Sequence, residues 1–149
     1  MGCDIHSFAE KKNQNGQYII IEDLCPFDWR SYSVFGFLAG VRNYSNIIPI
    51  STPRGLPDDV CQEIKDDFES RGYDAHSASW LSIKELTDFE YDKETEDCRV
   101  TINGDGGCTC DPGGGKKQTY REFLRSEFFD EIKKLKEAKA ERIVFYFDN

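Results

Sequence analysis

The sequence predicts an α+β protein: a single domain in which an antiparallel or mixed sheet contains both terminal strands and the helices pack on one side. Three observations carry that expectation: an Asn-Gly turn between two extended segments near the start, several segments with helical spacing of apolar residues behind capping signals, and an unbroken β-prone run from Arg142 to Asp148 at the end. With 149 residues, 38% of them hydrophobic and 13% aromatic, the chain has apolar surface for one core, since a domain of roughly 150 residues hides about 70% of its unfolded surface.

Residues 3–10, Asn13 to Gly16 and Gln17 to Glu22 read as a β-hairpin, because Asn-Gly supplies the positive φ of a tight turn. Strand alternation puts Asp4, His6, Phe8 and Glu10 on one face. Ser31 to Arg42 reads as a helix through Val34, Phe35, Leu38 and Val41, weakened by Gly36 and Gly40. Ile47 to Pro57 holds three prolines and Gly55 and is expected as an ordered surface loop. Asp58 and Asp59 start a second helix carrying Val60, Ile64 and Phe68, which Gly72 ends. His76 then lies on an entry segment between helices, before the capping box Ser82 to Glu85. Residues 92–118, rich in Gly, Asp and Thr, read as a peripheral insertion, a hairpin around Arg99 to Asn103 with a long glycine loop. Thr119 to Glu122 is another capping box, and Tyr120, Phe123, Leu124, Phe128, Ile132 and Leu135 mark one amphipathic helix.

A net charge of −9 argues against long DNA or RNA as a partner. The charge is uneven. Pro26 to Pro57 contains three arginines against the single acid Asp28, a local +2 that leaves −11 for the rest, so a small anionic ligand is expected there. The longest apolar run, Val34 to Val41, falls short of the ~20 residues that span a bilayer, and no basic-then-apolar leader opens the chain. No membrane partner, a cytoplasmic location and reduced cysteines are the corresponding expectations. His6 stands where a myristoylation motif wants Ser or Thr. Cys98, Cys108 and Cys110 lack a standard four-ligand zinc spacing, and Gly104 to Gly107 and Gly113 to Gly115 match no phosphate-binding fingerprint.

The two histidines each follow an aspartate by two residues, as Asp4-Ile5-His6 and Asp74-Ala75-His76. On extended backbone such a pair shares a face. Four such groups would suit a divalent metal; alternatively the aspartates orient the imidazoles, one histidine accepting a proton while the other donates one, as phosphodiester cleavage without metal requires. Ordinary, locally hydrogen-bonded histidines are the plain alternative. Ser77 and Trp80 add a hydroxyl and a ring beside His76, although a serine adjacent in sequence is not thereby activated. Trp29, Arg42, Tyr44 and Arg54 mix flat rings with forked cations, a combination suited to phosphate and base, or to salt bridges with the many acids.

Met1 to His6, Leu38 to Arg42, Pro53 to Pro57, His76 to Leu81 and Val144 to Asn149 together give the chain a specific appearance. It resembles a family of small proteins of unassigned function met in tailed-phage and prophage genomes, over most of its length except 92–118. What the resemblance implies is context: an accessory protein in the host cytoplasm that neutralises a defence, including nucleotide immune signals. The resulting expectation is a phage anti-defence protein acting on a small nucleotide-like signal. His6 and His76 would serve as acid and base in a phosphodiesterase, Asp4 and Asp74 would orient them, Arg42 and Arg54 would hold phosphate, and Trp29, Tyr44 or Trp80 would stack a base. The alternatives are a sponge that sequesters the signal intact and an acidic protein inhibitor of a host defence enzyme. Homo-oligomerisation stays open.

Overall fold

The computed structural model describes residues 2–102, 107–110 and 113–149, with backbone only for 100–102 and 107–110. The glycine stretch at 104–106 and the side chains of Cys108 and Cys110 lie outside the described residues. In order, the elements are β1 (Asp4–Lys12), β2 (Tyr18–Ile20), α1 (Tyr32–Ala39), α2 (Gln62–Ser70), a 3₁₀ turn (Gly72–Asp74), β3 (Ala75–Ser82) and α3 (Ile83–Asp88). There follow β4 (Glu94–Asp97), β5 (Arg99–Ile102), β6 (Gly107–Cys110), β7 (Lys116–Thr119), α4 (Tyr120–Glu137) and β8 (Arg142–Asp148). The class is α+β, and both terminal strands share one antiparallel sheet.

Contacts gather the chain into two compact units: Met1–Arg30, Pro53–Phe89 and Phe128–Asn149 form the first, Ser31–Thr52 and Glu90–Glu127 the second. The first unit is built on a four-stranded sheet of order β2-β1-β8-β3. β8 is inside because Ile143 to Phe147 is apolar at every position and is buried on both faces. Its register against β1 pairs Asp4 with Asp148, His6 with Tyr146, Phe8 with Val144 and Glu10 with Arg142. These pairs share one face; Ile5 with Phe147, Ser7 with Phe145 and Ala9 with Ile143 occupy the other. Over the first face, α2 brings Phe68 edge-on to Tyr146 at 5.2 Å. On the other, Ser7 donates to the Pro26 carbonyl, and Phe27 stacks on Phe128 at 4.8 Å.

The hairpin turn forms where Asn-Gly stands: Gly16 adopts φ 77, and Asn13 Oδ1 accepts from the Asn15 and Gln17 amides at 2.9 and 3.0 Å. α2 starts three residues later than Asp59, because that residue is engaged elsewhere: its carboxylate takes Arg142 at 2.8 Å, and Cys61 is the N-cap. The segment carrying His76 is not a connector between helices but the edge strand β3. Its Ala and Ser residues carry no strand signal of their own, and the ladder with β8 supplies it. The α3 capping box forms as read, with the Glu85 amide donating to Ser82 Oγ at 3.0 Å.

In the second unit Ser31 caps α1, and Gly40, at φ 71, closes it before Arg42. Residues 92–118, expected as mostly irregular, instead form two ladders, β5–β6 nested within β4–β7. Glu96 accepts the Gly113 and Gly115 amides at 2.6 and 3.3 Å. A Cβ on Gly115 would lie 2.2 Å from the Asp97 carbonyl oxygen, so only glycine fits. The helix expected to run unbroken from Tyr120 turns at Arg125, with φ 68 and ψ 173; neither Gly nor Pro announces the break. Cys25 and Cys61 are free thiols, whereas Cys98 is disulfide-bonded, against the expectation of reduced cysteines. Among the described residues no helix is long and apolar enough to cross a membrane.

Candidate functional site

The site grows from the end of the sheet where β1 begins and β8 finishes. Antiparallel register sets Asp4 directly opposite Asp148 with His6 one pair inward on the same face. Two carboxylates so placed repel unless each has a cation. Asp4 takes Arg30, whose Nε and Nη2 both donate at 2.8 Å. That hydrogen bond, reinforced by the guanidinium charge and by His6, holds the Asp4 carboxyl below its usual range. Asp148 takes His6: Nε2 lies 2.8 Å from Oδ2. Arg71, just past the end of α2, approaches the same oxygen at 3.5 Å.

A carboxylate only accepts, so Nε2 carries the proton of this hydrogen bond. The imidazole lies on the Tyr146 ring, centroids 4.9 Å apart and planes 19° apart. Tyr146 in turn donates to Asp67 on α2. Burial, then the Asp67 carboxylate, push its hydroxyl well above the ordinary phenol range, so it remains a donor. The His6 and Asp148 side chains keep 24% and 22% of their surface exposed. That is enough access for a ligand and enough packing to fix the ring.

His76 is elsewhere. It pairs with Phe147, whose side chain lies on the face opposite Tyr146, and stacks on it at 6.2 Å. The expected sharing of one site by the two histidines is therefore overturned: they occupy opposite faces with β8 between them. The cause is a β-bulge between His76 and Ser79, where Ser77 takes φ 55. Counting back from Trp80 opposite Val144 with every residue paired one-to-one, as it would be with no bulge, would set His76 opposite Asp148, on the His6 face. His76 Nδ1 meets only its neighbour Ser77 Oγ, at 3.0 Å, and its Nε2 is buried without a hydrogen-bond partner among the described residues.

The remaining expected residues disperse. Asp74 sits exposed on the 3₁₀ turn and makes no hydrogen bond to His76. A metal site from Asp4, His6, Asp74 and His76 is thus not assembled; among the described residues no three His, Cys, Asp or Glu side chains gather to hold a metal. Arg54, expected on phosphate, is engaged by the Glu85 carboxylate through both terminal nitrogens, by the Trp80 carbonyl at 3.1 Å, and by the Trp80 ring at 4.8 Å. The Arg54 hydrogen bond holds Glu85 below its usual range. Trp29 packs at 6.1 Å from Phe27. Arg42 donates to the Tyr44 hydroxyl at 3.0 Å and lies 6.0 Å from the Tyr32 ring, a cation–aromatic cluster within the second unit.

Sequence reasoning missed Asp148, Arg71, Tyr146 and Asp67. For Asp148 a signal existed, since pairing the two terminal strands antiparallel brings their ends, Asp4 and Asp148, together. No family model matches the chain, and no characterised protein or solved structure is significantly similar to it. The motif resemblance to small phage proteins therefore stands on its residues alone.

Proposed function

We propose that this protein takes a small anionic, nucleotide-like ligand at the His6–Asp148–Arg71 end of the sheet and that His6 moves a proton on its phosphodiester. One observation carries the reading: a partly exposed imidazole whose Nε2 is fixed on a carboxylate at 2.8 Å, with a guanidinium at 3.5 Å from that same oxygen. Asp148 orients the ring and balances the charge formed when Nδ1 accepts a proton. Nδ1 would take the proton of the attacking hydroxyl or water and return it to the leaving oxygen. Arg71, with 39% of its side chain exposed, presents a forked cation to the phosphate. In the context the motifs imply, the ligand is a host defence signal and the protein a phage anti-defence factor.

Sequestration without cleavage is favoured by one finding, the placement of His76 on the far face, which leaves a single imidazole at the site. Turnover separates the two. Purified protein is incubated with linear and cyclic 3′,5′-linked dinucleotides and the products are identified by mass spectrometry. Cleavage predicts that His6→Ala lowers turnover by ~10² or more while affinity stays within about tenfold, and that His76→Phe leaves both unchanged. Wild type that binds a dinucleotide and returns it intact supports sequestration. Wild type that binds none of them ends the nucleotide reading.

A further inference from the structure

The expected stacking rings have protein neighbours: Trp29 packs on Phe27, Trp80 on Arg54, and Tyr44 on Tyr32 and Arg42. Tyr73 has none. Its accessible surface is 108% of the reference value, and among the described residues it makes no hydrogen bond, ring contact or cation contact. A tyrosine in that position contributes nothing to the core.

The backbone beneath it is nevertheless ordered at both ends. The Arg71 amide donates to the Phe68 carbonyl at 3.2 Å, closing α2, and the Asp74 amide donates to the Arg71 carbonyl at 3.3 Å, closing the 3₁₀ turn. Gly72 takes φ 59 between them, a left-handed conformation that turns the chain outward at little cost for glycine. One residue later Ala75 enters the ladder opposite Asp148, the carboxylate that holds His6. The ring is therefore carried on a three-residue turn that follows the site's arginine, Arg71, and leads into Ala75, the residue opposite the site's aspartate, Asp148.

We infer that Tyr73 is the stacking surface of the site, receiving the base of a nucleotide whose phosphate meets Arg71 beside His6. The inference rests on the reading above and sharpens it, because it commits the ligand to a planar aromatic part as well as an anionic one. Stacking on a rigid ring is tolerant of base identity, since every base has a π face. The phosphate contact sets position and the ring adds affinity.

Calorimetric titration tests this with three probes: the 3′,5′-linked adenylate dinucleotide, 5′-AMP and ribose 5-phosphate. Wild type should bind the two adenylates about tenfold or more tighter than the base-free sugar phosphate. Tyr73→Ala should bring adenylate affinity down to the ribose 5-phosphate level, and Tyr73→Phe, which keeps the π face, should restore it. The side chain is exposed, so neither variant threatens the fold. If Tyr73→Ala binds adenylates as wild type does, or if wild type binds ribose 5-phosphate as tightly as 5-AMP, the stacking role is refuted while the anion site survives. If wild type binds none of the probes, the site reading falls and this inference with it.

Discussion

At the scale of single residues, the two histidines separate by what their second nitrogen does. His6 has its Nε2 on Asp148, whereas His76 has Nδ1 on the adjacent serine and Nε2 buried without a partner among the described residues. A buried nitrogen of that kind costs about 1–3 kcal/mol, and nothing at His76 repays it. Phe is nearly isosteric and preserves the stack on Phe147, so His76→Phe should leave stability unchanged or raise it by about 1 kcal/mol, measured by urea unfolding. Loss of more than ~1 kcal/mol would mean that His76 holds a partner essential to the fold. Asp4 and His6 share a face, as the D-x-H spacing predicts, but the carboxylate that meets His6 is Asp148, 142 residues away along the chain, rather than Asp4.

At the scale of elements, the features legible in the sequence are those whose causes are local. The Asn-Gly turn, the Ser82 and Thr119 capping boxes and the apolar run of β8 each carry their physics within a few residues, and each formed. β3 was not legible, since its Ala and Ser residues become a strand only through β8, and the ladders of 94–119 lack apolar alternation. The bulge at Ser77 was least legible of all, yet it decides the candidate site. Strand alternation alone sets His76 with Trp80 on the His6 face; one inserted residue reverses it. Deleting Ser77 should remove the bulge and relieve a left-handed serine while leaving His76 opposite Phe147, because the ladder then runs from Ser79 opposite Phe145 through Ala78 opposite Tyr146 to His76. Nuclear Overhauser contacts retained between the His76 and Phe147 side chains would establish that register. Contacts from His76 to His6 or Asp148 instead would show that the strand slips, and that β3 register is set by more than residue count.

At the scale of the whole molecule, the first unit is held together by charge as well as by its core. Arg142 on β8 is buried, with 6% of its side chain exposed. It donates from Nε to Glu10 on β1 at 2.6 Å and from Nη1 to Asp59 at 2.8 Å. Glu10 is fully buried, and its other oxygen accepts the Cys61 amide at the start of α2 at 3.0 Å. The guanidinium lies 3.5 Å from the centre of the Tyr18 ring on β2. One cluster thus joins three strands of the sheet to the helix that covers the His6 face. Removing either charge alone leaves the other buried and unpaired, and such losses cost ~3–5 kcal/mol, whereas replacing both by apolar groups of similar volume is often neutral. Arg142→Met and Glu10→Met should each lower the unfolding free energy by roughly that amount. The double variant should recover most of it, as a double-mutant cycle would read. The cluster lies near the Lys12 end of β1 and the catalytic candidate near its Asp4 start. A variant that stays folded should therefore keep the His6–Asp148 contact, and with it the proposed ligand binding at the His6 end. If the double variant is as unstable as either single one, the cluster's value lies in its hydrogen bonds to the Cys61 amide and Asp59 rather than in the ion pair. The entry of α2 would then be the part of the molecule that fails first.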